Sequence, residues 1–235
     1  MRFYPYYIYE KNEAGNLCNV SLSIQSVLTQ SGRVCFAVLA DCKNMNGEVA
    51  SYTSAYLVKE LTKWFWEKGI ELADVNHTVL HNGMLRALQG ISAELQKFPC
   101  YEAEKFCPGF ACIIICRNKY YVWCFGDVGL YLFRHKFRKG NLKTVFNNQY
   151  SGKKSRRRNN KRAIYHTTGK INHGYTFFLC NPVITGFCDE ERIKELLKTG
   201  SEHAKIKRRF AELQYRIRKT EKSNDLGAVC IVTDK

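Results

Sequence analysis

Three short apolar segments follow one another in the middle of the chain, and they limit the folds that it can adopt. They run from Phe110 to Cys116, from Tyr120 to Phe125 and from Leu130 to Phe133. Their lengths are typical of β-strands, and Arg117 to Lys119 leaves room for no more than a tight turn between the first two. Strands joined by such a turn pair in opposite directions, so we expect an antiparallel sheet here.

Further strands and helices are predicted on both sides of these segments. Runs rich in β-branched and aromatic residues predict strands at Tyr4 to Tyr9, Val34 to Ala40, Tyr175 to Cys180 and Ala228 to Thr233. Apolar residues at helical spacing predict long helices at Gly47 to Lys68, Asp74 to Lys97 and Ser201 to Lys219. Asp189 is expected to cap a short additional helix, and Gly69 and Gly200 are expected to end helices. Antiparallel strands interleaved with helix pairs indicate an α+β layered fold.

The positive charge of the chain is concentrated in one long segment. The net charge is +16, and Val128 to Cys188 holds thirteen lysines and arginines but no aspartate or glutamate. Its densest part comprises Lys153, Lys154, Arg156, Arg157, Arg158, Lys161 and Arg162. This run favours a docking surface for an acidic or phosphorylated protein, with a solvated loop and nucleic-acid binding as the open alternatives. No nucleic-acid motif supports the last of these.

The eleven cysteines indicate a reducing compartment. None forms a Cys-x-x-Cys pair, and most lie inside apolar runs, which is typical of buried free thiols in a cytoplasmic protein. We see no targeting segment and no apolar run long enough to span a membrane. His77 and His81, one helical turn apart, are interpreted as partly exposed helix residues. We expect a single domain over 1–235, with 134–174 as an irregular basic excursion.

Six segments, taken in order, carry a family resemblance. Phe36 to Asp41 precedes a helix start at Gly47 to Ser51, and Pro108 to Cys112 follows further along the chain. A Gly-Asp turn lies inside Asn118 to Arg134, and Tyr175 to Cys180 and Ser223 to Val229 complete the set. Together these segments resemble the protein phosphatase 2C family of metal-dependent serine/threonine phosphatases, in its compact bacterial form. The resemblance implies a four-layer α-β-β-α sandwich of two antiparallel sheets flanked by helix pairs.

The same resemblance implies a set of metal ligands. Family members use two divalent ions, bridged by an aspartate, to activate a water for attack on phosphoserine or phosphothreonine. Asp41 matches the bridging aspartate, and Asp127 matches a residue near an accessory metal, although it could equally hydrogen-bond its own turn. Glu13 and Asp225 are further candidates. Asp225 is displaced by one residue from the family pattern, which would turn its side chain to the opposite face of the strand.

Most of the family's ligand motifs are altered in this sequence. Cys42 replaces the glycine after the bridging aspartate, and Lys43 could pair with Asp41 and would repel cations. Asn181, Pro182 and Val183 stand where the family has Ser-Asp-Gly. Two divalent ions need several carboxylate oxygens, and too few remain. We therefore predict a catalytically impaired pseudophosphatase with no cofactor, which acts as a protein-binding regulatory domain in bacterial serine/threonine phospho-signalling.

Two other functions remain open from the sequence. One is a divergent manganese- or magnesium-dependent serine/threonine phosphatase that uses Asp41, Asp127 and a relocated third acid. The other is a basic protein associated with nucleic acid, for which the charge of the chain is the main support.

Overall fold

The computed structural model describes residues 2–11, 18–42, 47–97, 109–135, 140–147, 164–171, 174–198, 203–220 and 225–234. The strands are β1 Arg2–Glu10, β2 Val20–Thr29, β3 Gly32–Asp41, β4 Gly109–Cys116, β5 Lys119–Phe125, β6 Gly129–Arg134, β7 Asn141–Asn147, β8 Tyr165–Lys170, β9 Tyr175–Cys180 and β10 Leu226–Asp234. The helices are α1 Gly47–Trp64, α2 Ile70–Val75, α3 His77–Leu95, α4 Pro182–Phe187, α5 Glu190–Leu197 and α6 His203–Thr220.

The strands form two antiparallel sheets of five. The first sheet has the order β1-β10-β9-β6-β7, and the second has the order β2-β3-β4-β5-β8. The three central apolar segments are β4, β5 and β6, and a tight turn joins β4 to β5 as predicted. The next connection carries the chain from β5 in the second sheet to β6 in the first. Two antiparallel sheets with flanking helices confirm the predicted α+β sandwich.

Three apolar layers hold the sandwich together. In β4, Phe110, Cys112 and Ile114 face α1 and α3, whereas Ala111, Ile113 and Ile115 face the first sheet. Every residue of this strand is therefore buried, which is why the sequence reads as a continuous apolar run. A third layer joins the outer face of the first sheet to α4, α5 and α6.

The first helical segment differs from the prediction at Gly69. The chain does not leave the helix there, because Phe65–Gly69 forms a π-helical turn that passes directly into α2. A side chain at Gly69 would lie 3.1 Å from the Trp64 ring, so the glycine allows that ring to pack against the backbone. The helix instead ends before Asn76, whose side chain caps α3 by accepting from Thr78 N at 2.8 Å.

The prediction that 134–174 is irregular needs correction, because this segment contains two strands. Asn141–Asn147 pairs with β6 at the edge of the first sheet, and Tyr165–Lys170 pairs with β5 at the edge of the second. Their side chains are half-buried or exposed, so they lack the apolar signal of the inner strands. The strand β2 and the short helix α4 were also not predicted. The single domain remains a prediction.

Other local predictions are confirmed. Asp189 caps α5 by accepting from Arg192 N at 2.8 Å, and Ile206, Phe210, Leu213 and Ile217 of α6 are buried against the first sheet. Nine cysteines in the described part of the chain are free and buried. In the same part, no helix combines the length and the apolarity that a membrane crossing requires. Gly200 lies outside the described residues.

Candidate functional site

Four strand ends from both sheets meet at one edge of the sandwich. Asn19 precedes β2, Asp41 ends β3, Asn181 follows β9 and Asp225 precedes β10. Asp41 shares the inner face of β3 with Leu39, so its carboxylate points between the sheets. Asp41, Asn181 and Asp225 are all buried. We call these four residues the strand-end cluster.

A glycine allows the two sheets to approach each other beside this cluster. A Cβ atom added at Gly227 of β10 would lie 2.2 Å from Cγ1 of Val20 in β2. No side chain larger than hydrogen fits at that distance unless Val20 or the backbone shifts. The close approach brings polar groups of the two sheets within hydrogen-bond distance of one another.

Asn181 joins the two sheets through its side-chain amide. Its Nδ2 donates to Oδ2 of Asp41 at 3.0 Å and to the backbone carbonyl of Asp225 at 2.9 Å. Two oxygen acceptors fix which end of the amide is nitrogen. Asparagine commonly caps a helix with its side chain, yet Asn181 begins α4 without doing so. Its amide is committed to Asp41 and Asp225 instead.

Asp225 uses its carboxylate on a different neighbour. Oδ2 of Asp225 accepts from Asn19 N at 2.7 Å. Burial raises the pKa of the Cys18 thiol, and the charge of Asp225 raises it further. Burial, the bond to Cys18 and the charges of Cys18 and Asp225 raise the pKa of Tyr9 to about 12. The carboxylate of Asp225 thus faces Cys18 and Asn19, on the side of β1 and β2.

The other predicted ligands and the basic run are placed as follows. Asp127 lies on the exposed turn between β5 and β6, whose backbone approaches Gly109, the residue paired with Asp41. The turn therefore brings Asp127 to the same end of the second sheet, in an exposed position. Glu13, Lys43 and the run from Lys153 to Arg162 lie outside the described residues.

The strand-end cluster does not fit a pair of divalent ions. A hydrogen-bond donor, Nδ2 of Asn181, occupies one side of the Asp41 carboxylate, where a metal site would present an oxygen. Asn19 Oδ1 and Asn181 Oδ1 are buried without a partner among the described residues, but neutral amide oxygens add no negative charge. Within those residues, no three histidine, cysteine, aspartate or glutamate side chains are grouped to hold a metal.

Solved structures provide the decisive comparison. The Mycobacterium tuberculosis serine/threonine phosphatase PstP/Ppp superposes with a TM-score of 0.71 and 13% identity, over 99% of each chain. The Staphylococcus aureus serine/threonine phosphatase Stp1 gives 0.72 and 13%, over 100% of this chain and 96% of the other. The chain has the fold of bacterial protein phosphatase 2C. No family model and no curated protein sequence matches it.

A further solved structure with the phosphatase 2C fold contains bound metal ions. The catalytic domain of PstP in complex with two manganese ions superposes with a TM-score of 0.69 and 16% identity, over 99% of each chain. The predicted resemblance to phosphatase 2C and the predicted four-layer architecture are confirmed at the level of the fold. Identities this low carry no activity across to the present chain.

A second polar cluster was not predicted as a group. The rings of His81 and His166 stack at 3.8 Å between centroids, and His77 stacks on His166 at 5.3 Å. Trp123 Nε1 donates to His81 Nδ1 at 3.0 Å, which fixes that nitrogen as an acceptor. Burial lowers the pKa values of both His81 and His166, and the neighbouring imidazoles lower them further. The sequence placed His77 and His81 on one helical face, but the pairing of His166 with Trp123 needed the sheet register.

Proposed function

We propose that this chain is a pseudophosphatase: a phosphatase 2C fold that has lost two-metal hydrolysis and serves as a protein-binding domain in serine/threonine phospho-signalling. One observation carries the proposal, namely the donation of the Asn181 amide to the Asp41 carboxylate. An N–H group there satisfies the carboxylate without a cation, and it repels any ion that approaches from the same side.

The protein-binding part of the proposal rests on fold and charge. PstP/Ppp and Stp1, which share the fold, are serine/threonine phosphatases, and we expect a chain of this fold without hydrolysis still to bind a protein partner. The net charge of +16 favours acidic or phosphorylated partners over neutral ones. Arginines, which are frequent in the run from Arg156 to Arg162, pair with phosphate through two parallel hydrogen bonds.

Isothermal titration calorimetry with Mn²⁺ tests the loss of the metal pair. We expect no stoichiometric binding, because the cluster lacks the anionic oxygens that two divalent ions require. Binding of two ions per chain with roughly micromolar affinity would contradict the proposal, since such ions would need the ligands that we consider lost.

Hydrolysis of p-nitrophenyl phosphate separates the proposal from a divergent phosphatase. We expect no Mn²⁺-dependent turnover above that of the Asp41→Asn variant. Turnover that requires Mn²⁺ and disappears in Asp41→Asn would instead establish a divergent enzyme. Measurable turnover of the same size in both proteins would identify a contaminating phosphatase.

A further inference from the structure

A groove on the outer face of the helical layer over the first sheet has the features of a docking surface. It lies between α5 and α6 and has a volume of about 450 Å³. It is separate from the strand-end cluster, which lies between the sheets. The floor is apolar and consists of Phe187, Cys188, Leu196 and Leu213.

Four cationic side chains line the rim of this groove, which we call the helical groove. They are Arg192, Arg209, Arg216 and Lys219. The two carboxylates in the lining, Glu195 and Glu212, are each paired with a cation just outside it, Lys198 at 3.3 Å and Arg208 at 3.0 Å. Their negative charges are thereby offset, and the groove as a whole is strongly positive.

The rim combines anchored arginines with cations that have no partner among the described residues. Arg192 donates to the carbonyl of Phe187 at 3.1 Å, and Arg209 donates to the carbonyl of Glu195. These bonds hold both guanidinium groups against the groove walls. The side chains of Arg216 and Lys219 are exposed and make no hydrogen bond or ion pair with any described residue. Their charges are therefore available to an incoming ligand.

We infer that the helical groove docks an acidic protein segment that places apolar side chains on the floor and carboxylates against the rim. Charge complementarity identifies the partner, because aspartate and glutamate would meet Arg216 and Lys219 without displacing an existing ion pair. The apolar floor argues against nucleic acid, whose backbone has no aliphatic side chain to bury there. The inference rests on the proposed function in that it specifies where a protein partner binds.

Selection from a displayed library of short random peptides tests the inference. The full chain is the target, and the double variant Arg216→Glu, Lys219→Glu is used for counter-selection. We expect peptides enriched in aspartate or glutamate together with leucine, isoleucine or phenylalanine. Their Kd should rise by at least about tenfold for the double variant, which corresponds to about 1.4 kcal/mol.

A matched control separates local contacts from the net charge of the chain. The double variant Lys59→Glu, Lys207→Glu makes the same change in charge at exposed positions outside the groove, and it should leave the Kd nearly unchanged. Circular dichroism confirms that both variants fold. Peptides that lack this composition, or that bind all three proteins equally, would overturn the inference.

Two further outcomes are informative. A short single-stranded RNA that binds the chain, competes with the peptides and is lost in the Arg216→Glu, Lys219→Glu variant would overturn the protein partner in favour of nucleic acid. Mn²⁺-dependent hydrolysis by a chain that still binds the selected peptides in the groove would refute the inert site alone. The docking surface would then stand by itself.

Discussion

Replacing Asn181 with aspartate tests the role of its amide directly. Asn181→Asp keeps the shape of the side chain but removes the donor that serves both Asp41 and the carbonyl of Asp225. It also places a second carboxylate about 3 Å from the first, and like charges this close in a buried position cannot both stay ionised at low cost.

The expected loss of stability can be estimated from these contacts. With the nearest oxygens about 3 Å apart, the centres of the two charges are about 4 Å apart, and at that distance they repel by about 4 kcal/mol at an effective dielectric constant of about 20. Protonation of the introduced carboxyl group limits the cost, because raising its pKa from about 3.9 to 7 also takes about 4 kcal/mol. The unsatisfied carbonyl of Asp225 adds about 1 kcal/mol. We expect the free energy of unfolding to fall by about 5 kcal/mol at pH 7.

Urea denaturation at several pH values checks this estimate. The introduced carboxyl group has a higher pKa in the folded chain than in the unfolded chain, so the folded state takes up a proton. The deficit should therefore shrink by up to about 1.4 kcal/mol for each pH unit as the pH falls from 7. Mn²⁺ should recover part of the loss, because a cation between two carboxylates replaces the amide.

Asn76→Asp serves as the matched control for this substitution. It makes the same chemical change at the exposed cap of α3, where aspartate caps as well as asparagine does. Its stability should stay within about 0.5 kcal/mol of the unmodified chain. If Asn181→Asp were as stable as Asn76→Asp at every pH, the amide would not be supporting Asp41, and the reasoning would be refuted.

Three further predictions concern other parts of the molecule. The pKa values of His81 and His166 are lowered in the folded chain, so the free energy of unfolding should fall as the pH drops below about 6.5. In urea denaturation at several pH values, His166→Phe should reduce this pH dependence by up to about 1.4 kcal/mol per pH unit. Gly227→Ala should lower the free energy of unfolding by about 1–3 kcal/mol because the new methyl group meets Val20. Gly90→Ala, whose methyl group meets no atom within 4 Å, should raise it by up to about 1 kcal/mol. Thermal unfolding that ranks the two variants in the opposite order would contradict the close approach of β2 and β10. Burial raises the pKa of the Cys35 thiol to about 12 and that of Cys116 to about 11, so mass spectrometry should find both unmodified by iodoacetamide at pH 8 unless the chain is unfolded in urea.

The sequence predicted those elements that are buried on one or both faces. The strand β4 reads as one apolar run because both of its faces are covered, and α3 shows its buried stripe from Leu80 to Leu95. The strand β2 alternates apolar residues with serines, but it has no aromatic residue and most of its side chains are only half-buried. The edge strands β7 and β8 bury too little to leave a clear pattern.

The sequence named Asp41, Asn181 and Asp225 of the strand-end cluster, but it indicated neither Asn19 nor any of the contacts. Asp41 was identified from the segment that precedes it, and the absence of an aspartate at Asn181 was visible in the sequence. What the Asn181 amide does instead depends on the distance between the two sheets, which is set by the close approach of Gly227 to Val20. Long-range geometry of this kind leaves no local signal. The hydrogen bond from Asn19 N to the Asp225 carboxylate likewise depends on how the two sheets are placed relative to each other.

The positions of β7 and β8 have a consequence for how this protein can vary. Each is the outermost strand of its sheet among the described residues, and residues 148–164 connect one to the other. Lengthening or shortening that connection would not move the register of any other strand pair. The lysines and arginines between the two strands can therefore be gained, lost or rearranged across related chains while the architecture stays the same.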